Sequence, residues 1–228
     1  MSEILTTNEA FKVMFYPANV IDYFRMASLY ISIMFNGVGF VCIYSLSVLL
    51  DYFDGMVARS TEKTSELGKI LDMITDRIST VVILVKAIAL DNSLLFNGLT
   101  YIVFDLFGHL FYFIGCLLNK SHHKQPNNAI LALYYKQYVL YTLCLGSEIG
   151  FIVIYIISYI KTRKEYRYSS RIIQILESLE FIAKILIFCK FITNLAQMYC
   201  GILGLAELES KFGLVELNKE GQDRKVKV

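Results

Sequence analysis

Four aspartates within residues 51–76 are spaced in a way that could hold divalent metal ions. The segment follows the pattern D-x2-D-G-x2-A-R-x8-G-x3-D-x3-D. Its aspartates are Asp51, Asp54, Asp72 and Asp76. Carboxylates without a soft ligand beside them favour hard, oxygen-binding ions such as Mg²⁺ or Mn²⁺. Two such ions sharing carboxylates could clamp a diphosphate and stabilise both the entering and the leaving oxygen.

Helical geometry predicts that these carboxylates meet near the ends of two neighbouring helices. At 100° per residue, the motif forms one stripe on each helix. The first stripe contains Asp51, Asp54, Gly55 and Ala58, and the second contains Gly68, Asp72 and Asp76. The connection over residues 59–68 is polar. It therefore predicts a surface loop between antiparallel helices, which would bring the two acidic stripes together.

The small residues of the motif leave room for a ligand beside the helix backbones. Gly55, Ala58 and Gly68 have almost no side chain, so a nucleotide could come close, and Arg59 could offset phosphate charge. Small residues in membrane helices more often mark tight helix packing, and single carboxylates there can be proton relays. Four carboxylates interleaved with small residues favour a binding site over both alternatives.

The composition is that of a membrane protein. The 228 residues are 56% hydrophobic and 18% charged, whereas soluble domains average about 45–50% and 25%. The net charge of +2 is too small to indicate a nucleic-acid partner. An aspartate near the centre of a bilayer costs about 2.5–3.5 kcal/mol on insertion scales. Four of them in such a chain therefore need cations and a functional reason.

Six apolar stretches predict six transmembrane helices, because each is about as long as a membrane span requires. They cover residues 19–35, 37–57, 69–90, 94–118, 138–160 and 172–200. Residues 3–16 predict a short helix lying along the membrane interface. The predicted fold class is an all-α integral membrane protein. Its predicted parts are an interfacial segment (1–16), one membrane domain (17–204) and a charged C-terminal tail (205–228).

The distribution of Lys and Arg predicts the orientation in the membrane. With the N-terminus in the cytosol, the basic residues of 59–69, 119–137 and the tail lie on the cytosolic side. The basic stretch 161–171 then lies on the opposite side, against the rule. We keep this orientation because it places the carboxylate motif and the 119–137 loop on one face.

The carboxylate pattern resembles the signature of the CDP-alcohol phosphotransferases, membrane enzymes that move a phosphoryl-linked group from a CDP-activated donor to an alcohol. All eight fixed positions match. The resemblance implies two ions, Mg²⁺ or Mn²⁺, held by the four aspartates. It also implies that Asp76 is the base that deprotonates the acceptor hydroxyl. The residues that it implies at the CDP site are Asn19, Gly55, Ala58, Arg59 and Gly68.

Within that family the chain is similar to eukaryotic phosphatidylinositol synthases along residues 15–205. Residues 19–25 resemble their N-x5-R element, although Asp22 replaces a typical Gly, and residues 104–109 and 142–148 resemble two later elements. The resemblance implies CDP-diacylglycerol and myo-inositol as substrates, a homodimer, and residence in the endoplasmic reticulum with the site facing the cytosol. The residues implied at the acceptor site are Asp105, His109, His123 and Lys124.

Several alternatives stay open at the level of sequence. Asp105 and His109 lie one helical turn apart, so they fit a satisfied buried pair as well as a polar wall for a polyol. Arg77 could pair with Glu148 or contact the donor's phosphate. The acceptor could instead be glycerol 3-phosphate, serine, choline or ethanolamine. A divalent-cation transporter and a membrane scaffold protein are rivals from other classes, but we see no inverted repeats or broken helices.

Overall fold

The computed structural model describes residues 7–61, 63–118, 128–163 and 170–226. Within these ranges the chain forms eight α-helices and one short 3₁₀ turn, Asn92–Leu94, and no β-strand. The α-helices are α1 (Thr7–Met14), α2 (Pro17–Ile33), α3 (Val38–Ser60), α4 (Glu66–Leu90), α5 (Leu95–Leu118), α6 (Ala129–Tyr134), α7 (Gln137–Thr162) and α8 (Ser170–Val226). The all-α fold class is therefore confirmed.

Three of the described helices are long and apolar enough to cross a membrane. They are α3, the segment Asn92–Leu118 that contains α5, and α7. Each provides at least 23 residues, and about 20 are needed to span the hydrocarbon core. The chain is thus an integral membrane protein.

Two helical segments differ from the sequence-based description. Helix α6 lies inside a region predicted as a loop, and it begins where the side chain of Asn128 accepts a hydrogen bond from the amide of Ile130 at 2.9 Å. An Asn at the N-cap satisfies amides that a helix start leaves open. Helix α8 continues to Val226, well past Cys200, where the predicted span ended. The residues after Gly204 are rich in Glu, Leu and Lys, which are good helix formers.

The described residues form two compact units. The first comprises those of 1–94 and 154–169. In it, α2 lies against both α3 and α4. The turn from α2 to α3 depends on Gly37, whose φ of +59° favours glycine. The amide of Gly37 donates to the hydroxyl of Tyr155 at 2.8 Å, and the ring of Tyr155 packs on Phe40.

The second unit comprises the described residues of 95–153 and 170–228. Its main contact is between α5 and α8, and α6 also lies against α8. The two helices approach closely because each has a glycine at the contact, Gly108 in α5 and Gly201 in α8. A Cβ added to Gly108 would lie 2.5 Å from the backbone oxygen of Asn194, and one added to Gly201 would collide with the backbone of Phe111 and Tyr112.

We therefore expect Gly108→Ala to destabilise the second unit. The methyl group would meet backbone atoms that cannot rotate away, and overpacking of this kind typically costs about 1–3 kcal/mol. The measurement is the midpoint of thermal unfolding in detergent, followed by circular dichroism. Gly39→Ala in α3 is the matched control, because the atoms nearest to its Cβ belong to the Phe35 side chain, at 3.3 Å or more, and not to backbone. Equal midpoints for the two variants would contradict this account of the α5–α8 contact.

Candidate functional site

The four aspartates of the motif meet around one guanidinium group, that of Arg25 on α2. Its Nη1 lies 2.7 Å from Asp54 Oδ2 and 3.0 Å from Asp72 Oδ1. Its Nη2 lies 2.5 Å from Asp51 Oδ1 and 2.7 Å from Asp76 Oδ1. The prediction that the acidic stripes of α3 and α4 meet is confirmed. The helix that joins them is α2, which the hairpin argument did not include.

A fifth carboxylate, that of Asp22, belongs to the same cluster. Asp22 Oδ1 lies 3.0 Å from Arg25 Nη1, and both side chains are only 3% exposed. Sequence reasoning treated Asp22 as a departure from a family element and gave Arg25 no role. The signal was a polar stripe in an apolar helix: Asn19, Asp22, Arg25, Ser28 and Ser32 are spaced by three or four residues, and all are buried. Such spacing places them on one face of α2.

The carboxylates form two groups of three that share Asp72. The outer trio is Asp51, Asp72 and Asp76, and the inner trio is Asp22, Asp54 and Asp72. In each trio, one oxygen per residue lies within 4.8 Å of the others. Divalent Mg²⁺ or Ca²⁺ binds oxygens at about 2.0–2.6 Å, so oxygens this close could reach a common ion. The residues therefore fit two hard divalent ions with one bridging carboxylate.

The two trios differ in their access to solvent. The outer side chains of Asp51, Asp72 and Asp76 are 42%, 48% and 36% exposed. Those of Asp22 and Asp54 are 3% and 9% exposed. A substrate can therefore reach the outer trio, whereas the two residues found only in the inner trio, Asp22 and Asp54, are buried.

The charges in this cluster are unbalanced. Five carboxylates surround Arg25, and a second guanidinium, Arg77, places Nη2 3.5 Å from Asp76 Oδ2. Two guanidinium groups leave a net charge of −3 if all five acids are ionised. Buried or half-buried charges of one sign are costly, so the cluster favours additional cations. For Arg77, whose partner the sequence left open, the guanidinium reaches back towards Asp76.

Two of the residues predicted at the CDP site, Asn19 and Gly68, lie beside each other in the first unit. Asn19 Nδ2 donates to the Val13 carbonyl at 2.8 Å and to Ser65 Oγ at 3.3 Å. A Cβ at Gly68 would lie 2.6 Å from Asn19 Oδ1, so a larger residue here would displace the Asn19 side chain. Ser65 caps α4 by accepting from the Gly68 amide at 2.9 Å.

The other predicted CDP residues lie along α3. A Cβ at Gly55 would lie 3.3 Å from Arg59 Nη1, so the exposed guanidinium folds back along the helix beside Gly55. Ala58 is half-buried one turn further along. Arg59 thus offers a positive charge beside two small, half-buried residues of α3.

The predicted acceptor residues that the structure describes lie in the second unit. Asp105 is 1% exposed, and its Oδ1 accepts from Asn194 Nδ2 at 2.9 Å. His109 Nδ1 lies 2.9 Å from the Asp105 carbonyl oxygen and 3.6 Å from its Oδ1. Asp105 therefore takes part in the α5–α8 contact. His123 and Lys124 lie outside the described residues, and the acceptor site stays a prediction.

A buried polar network in the second unit was not predicted. Lys190 is 3% exposed, donates to the hydroxyl of Tyr134 and lies 3.5 Å from Cys144 Sγ. Its Nζ also lies 4.4 Å from the centroid of the Tyr134 ring, within the range of a cation–π contact. Lys184 differs, because it is exposed and pairs with Glu180 at 2.8 Å. The two lysines of α8 thus differ in burial: Lys190 belongs to the buried network, and Lys184 forms a surface pair.

Comparison with known proteins agrees with the site. A family profile described as CDP-alcohol phosphatidyltransferase matches residues 15–204. The CDP-diacylglycerol–inositol 3-phosphatidyltransferase of Drosophila melanogaster is 29% identical over 159 residues, which are 68% of this chain and 71% of that protein. The Saccharomyces cerevisiae protein of the same name is 33% identical over 153 residues, 63% and 69% of the two chains.

The human protein of that name is 34% identical over 119 residues, so the alignment spans about half of each chain, 50% of this one and 55% of the relative. No solved structure matches. The profile, however, covers most of the chain and includes all four motif aspartates. The chain belongs to the CDP-alcohol phosphatidyltransferase family.

Proposed function

We propose that this protein transfers the phosphatidyl group of CDP-diacylglycerol to myo-inositol, giving phosphatidylinositol and CMP. The observation that carries the phosphotransfer is the outer trio, three half-exposed carboxylates whose oxygens lie within 4.8 Å of one another. The choice of inositol is supported by the relatives, several of which are named CDP-diacylglycerol–inositol 3-phosphatidyltransferases. The proposal thus has a chemical part and an acceptor part, which can be tested separately.

Asp51, Asp54, Asp72 and Asp76 would hold two divalent ions, Mg²⁺ or Mn²⁺. When bound, these ions supply positive charge to the diphosphate of the donor and to the departing CMP. The four carboxylates would set the position of the ions and of the donor, because α3 and α4 bring them together around one point. Holding reactants in such a fixed geometry is itself a large part of catalysis.

Asp76 is the proposed general base. Its carboxylate belongs to the outer trio, and its side chain is 36% exposed, so an acceptor hydroxyl can reach it. The inositol oxygen forms a bond to phosphorus while the bond from phosphorus to the CMP oxygen breaks. Asp76 takes the hydroxyl proton and later releases it to solvent.

The nucleotide part of the donor would lie along α3 and the start of α4. Gly55, Ala58 and Gly68 keep the helix backbones accessible, and Arg59 contributes positive charge for a phosphate. Asn19 completes this site from α2, beside Gly68. The Val13 carbonyl and the Ser65 hydroxyl hold the Asn19 side chain in place, so a nucleotide would meet a preorganised surface.

The acceptor would be recognised by Asp105, His109, His123 and Lys124. Support for this set comes from the sequence resemblance, and the contacts of Asp105 with α8 equally suit a structural role. The same chemistry with glycerol 3-phosphate, serine, choline or ethanolamine is the second candidate function. A cation transporter is less favoured because the chain belongs to a family of transferases.

The proposed membrane arrangement has six spans, with α2, α4 and the first part of α8 added to the three apolar helices. Helix α1 would lie along the interface, since its described face includes exposed Phe11 and Met14. The proposed membrane domain is 17–204, between the segments 1–16 and 205–228. We place the protein in the endoplasmic reticulum as a homodimer, among membrane lipids, with its site facing the cytosol.

The acceptor part is tested by CMP release from CDP-diacylglycerol by the purified protein in detergent–lipid micelles with Mn²⁺. Myo-inositol, glycerol 3-phosphate and serine are supplied one at a time. We expect release with inositol alone. Release with a different alcohol would agree with a transferase but contradict inositol as the acceptor. Mn²⁺ binding without release for any acceptor would contradict the transferase and favour the transporter.

A further inference from the structure

We infer that Asp22 is a fifth carboxylate ligand of the metal site, supplying from α2 one of the oxygens that hold the inner ion. The inference rests on the proposed two-ion function. Asp22 departs from the glycine typical of the resembling synthases, so the added ligand is a property of this chain. The alternative is that Asp22 only positions Arg25.

The first support is the convergence of the inner trio. Oxygens of Asp22, Asp54 and Asp72 lie within 4.8 Å of one another. All three also lie within 3.0 Å of one atom, Arg25 Nη1. Three oxygens that meet at a single cationic nitrogen already point to a common position for positive charge. Without Asp22, only two of these carboxylates would remain.

The second support is burial. The Asp22 side chain is 3% exposed, so bulk solvent does little to stabilise its charge. Arg25 is its cationic neighbour, but the guanidinium is shared among five carboxylates. Its Nε is buried and has no hydrogen-bond partner among the described residues. Arg25, together with Arg77 beside Asp76, leaves the five carboxylates in excess, and a hard cation bound by Asp22 would supply the missing charge.

The two roles for Asp22 predict opposite changes in ion affinity. Arg25 and an ion draw on the same oxygens, so they compete for the carboxylates. If Asp22 only anchors Arg25, its removal loosens the competitor and leaves ion binding equal or tighter. If Asp22 is a ligand, its removal weakens ion binding, by at least about 10-fold, since even outer contacts of metal sites change affinity by about 10–100-fold.

The test is a Mn²⁺ titration of the full-length protein, with free ion followed by electron paramagnetic resonance. We expect two bound ions in the wild type and one site weakened at least 10-fold in Asp22→Asn. Asp22→Gly should show the same loss of Mn²⁺ affinity. Glycine is the residue typical of the resembling synthases at this position, so this variant should retain its fold. Unchanged or tighter binding in both variants would overturn the ligand assignment.

A change of metal preference provides a second readout. A thiolate favours soft ions, so Asp22→Cys should raise the affinity for Cd²⁺ relative to Mn²⁺ at least 10-fold. Ser28→Cys is the matched control, a buried thiol on the same helix outside the inner trio. Equal preferences in the two variants would overturn the assignment. If the wild type binds two ions but releases no CMP, the proposed function fails while the ligand comparison still stands.

Discussion

Asp76→Asn is expected to reduce turnover by roughly 10²–10⁴-fold, the usual contribution of a general base. An amide cannot accept the proton of the acceptor hydroxyl at neutral pH. It keeps a carbonyl oxygen of similar size, so Mn²⁺ and CDP binding should be largely retained. The measurements are CMP release with inositol present, and the binding of Mn²⁺ and CDP by calorimetry.

Asp91→Asn is the matched control for this variant. It makes the same chemical change at the C-cap of α4, where Asp91 Oδ1 accepts from the Ser93 amide at 3.0 Å. At a rise of about 1.5 Å per residue, this position lies on the order of 20 Å along the helix from Asp76. The control should turn over normally. Full activity of Asp76→Asn, or a loss explained wholly by weaker nucleotide binding, would contradict the base assignment.

Asp72→Ala should have the largest effect on metal binding. Asp72 is the carboxylate that the two trios share, so its removal takes a ligand from both ions at once. We expect at least about 100-fold weaker Mn²⁺ binding, at the upper end of the range for less direct contacts. CDP binding should fall with it, because the ions carry the attraction for the diphosphate. Asp51 belongs only to the outer trio, so Asp51→Ala should lose one ion.

Glu66→Ala separates this effect from a general loss of negative charge on α4. Glu66 lies in the first turn of the same helix and forms an exposed pair with Lys69 at 2.7 Å, a type of pair that contributes little to stability. Its removal should leave Mn²⁺ affinity unchanged. The two-ion account would be wrong if Asp72→Ala bound Mn²⁺ as tightly as Glu66→Ala.

The meeting of the acidic stripes could be predicted because it depends on helical periodicity. Asp51 and Asp54 must share a face of α3, and Asp72 and Asp76 must share a face of α4, whenever both segments are helical. The polar loop between them also marked the turn correctly. These features follow from local sequence, so helical periodicity and the polar loop together predicted that the four aspartates meet.

The part played by α2 could not be predicted in the same way, because it depends on tertiary packing. Nothing local indicates that Arg25 reaches carboxylates 26–51 residues away in sequence. The buried stripe that contains Asp22 did give a signal, since a charged pair in an apolar helix is costly without partners. The motif drew attention to α3 and α4 instead.

Helices α6 and α8 show a different limit of prediction from sequence, which concerns where helices begin and end. Hydropathy predicts where a span ends, but a helix can continue beyond it when the following residues are good helix formers. This is the case after Gly204, where α8 runs on to Val226. Helix α6 is only six residues long and depends on its Asn128 cap, a signal that apolar periodicity does not detect.

The most direct test of the proposed activity follows the atoms of the acceptor into the lipid. The purified protein is incubated with CDP-diacylglycerol and radiolabelled myo-inositol, first with a chelator and then with excess Mn²⁺. We predict labelled phosphatidylinositol in equal amount to the CMP released, absent with the chelator and restored by Mn²⁺. CMP release without labelled lipid, or lipid formation that survives complete removal of divalent ions, would contradict the account.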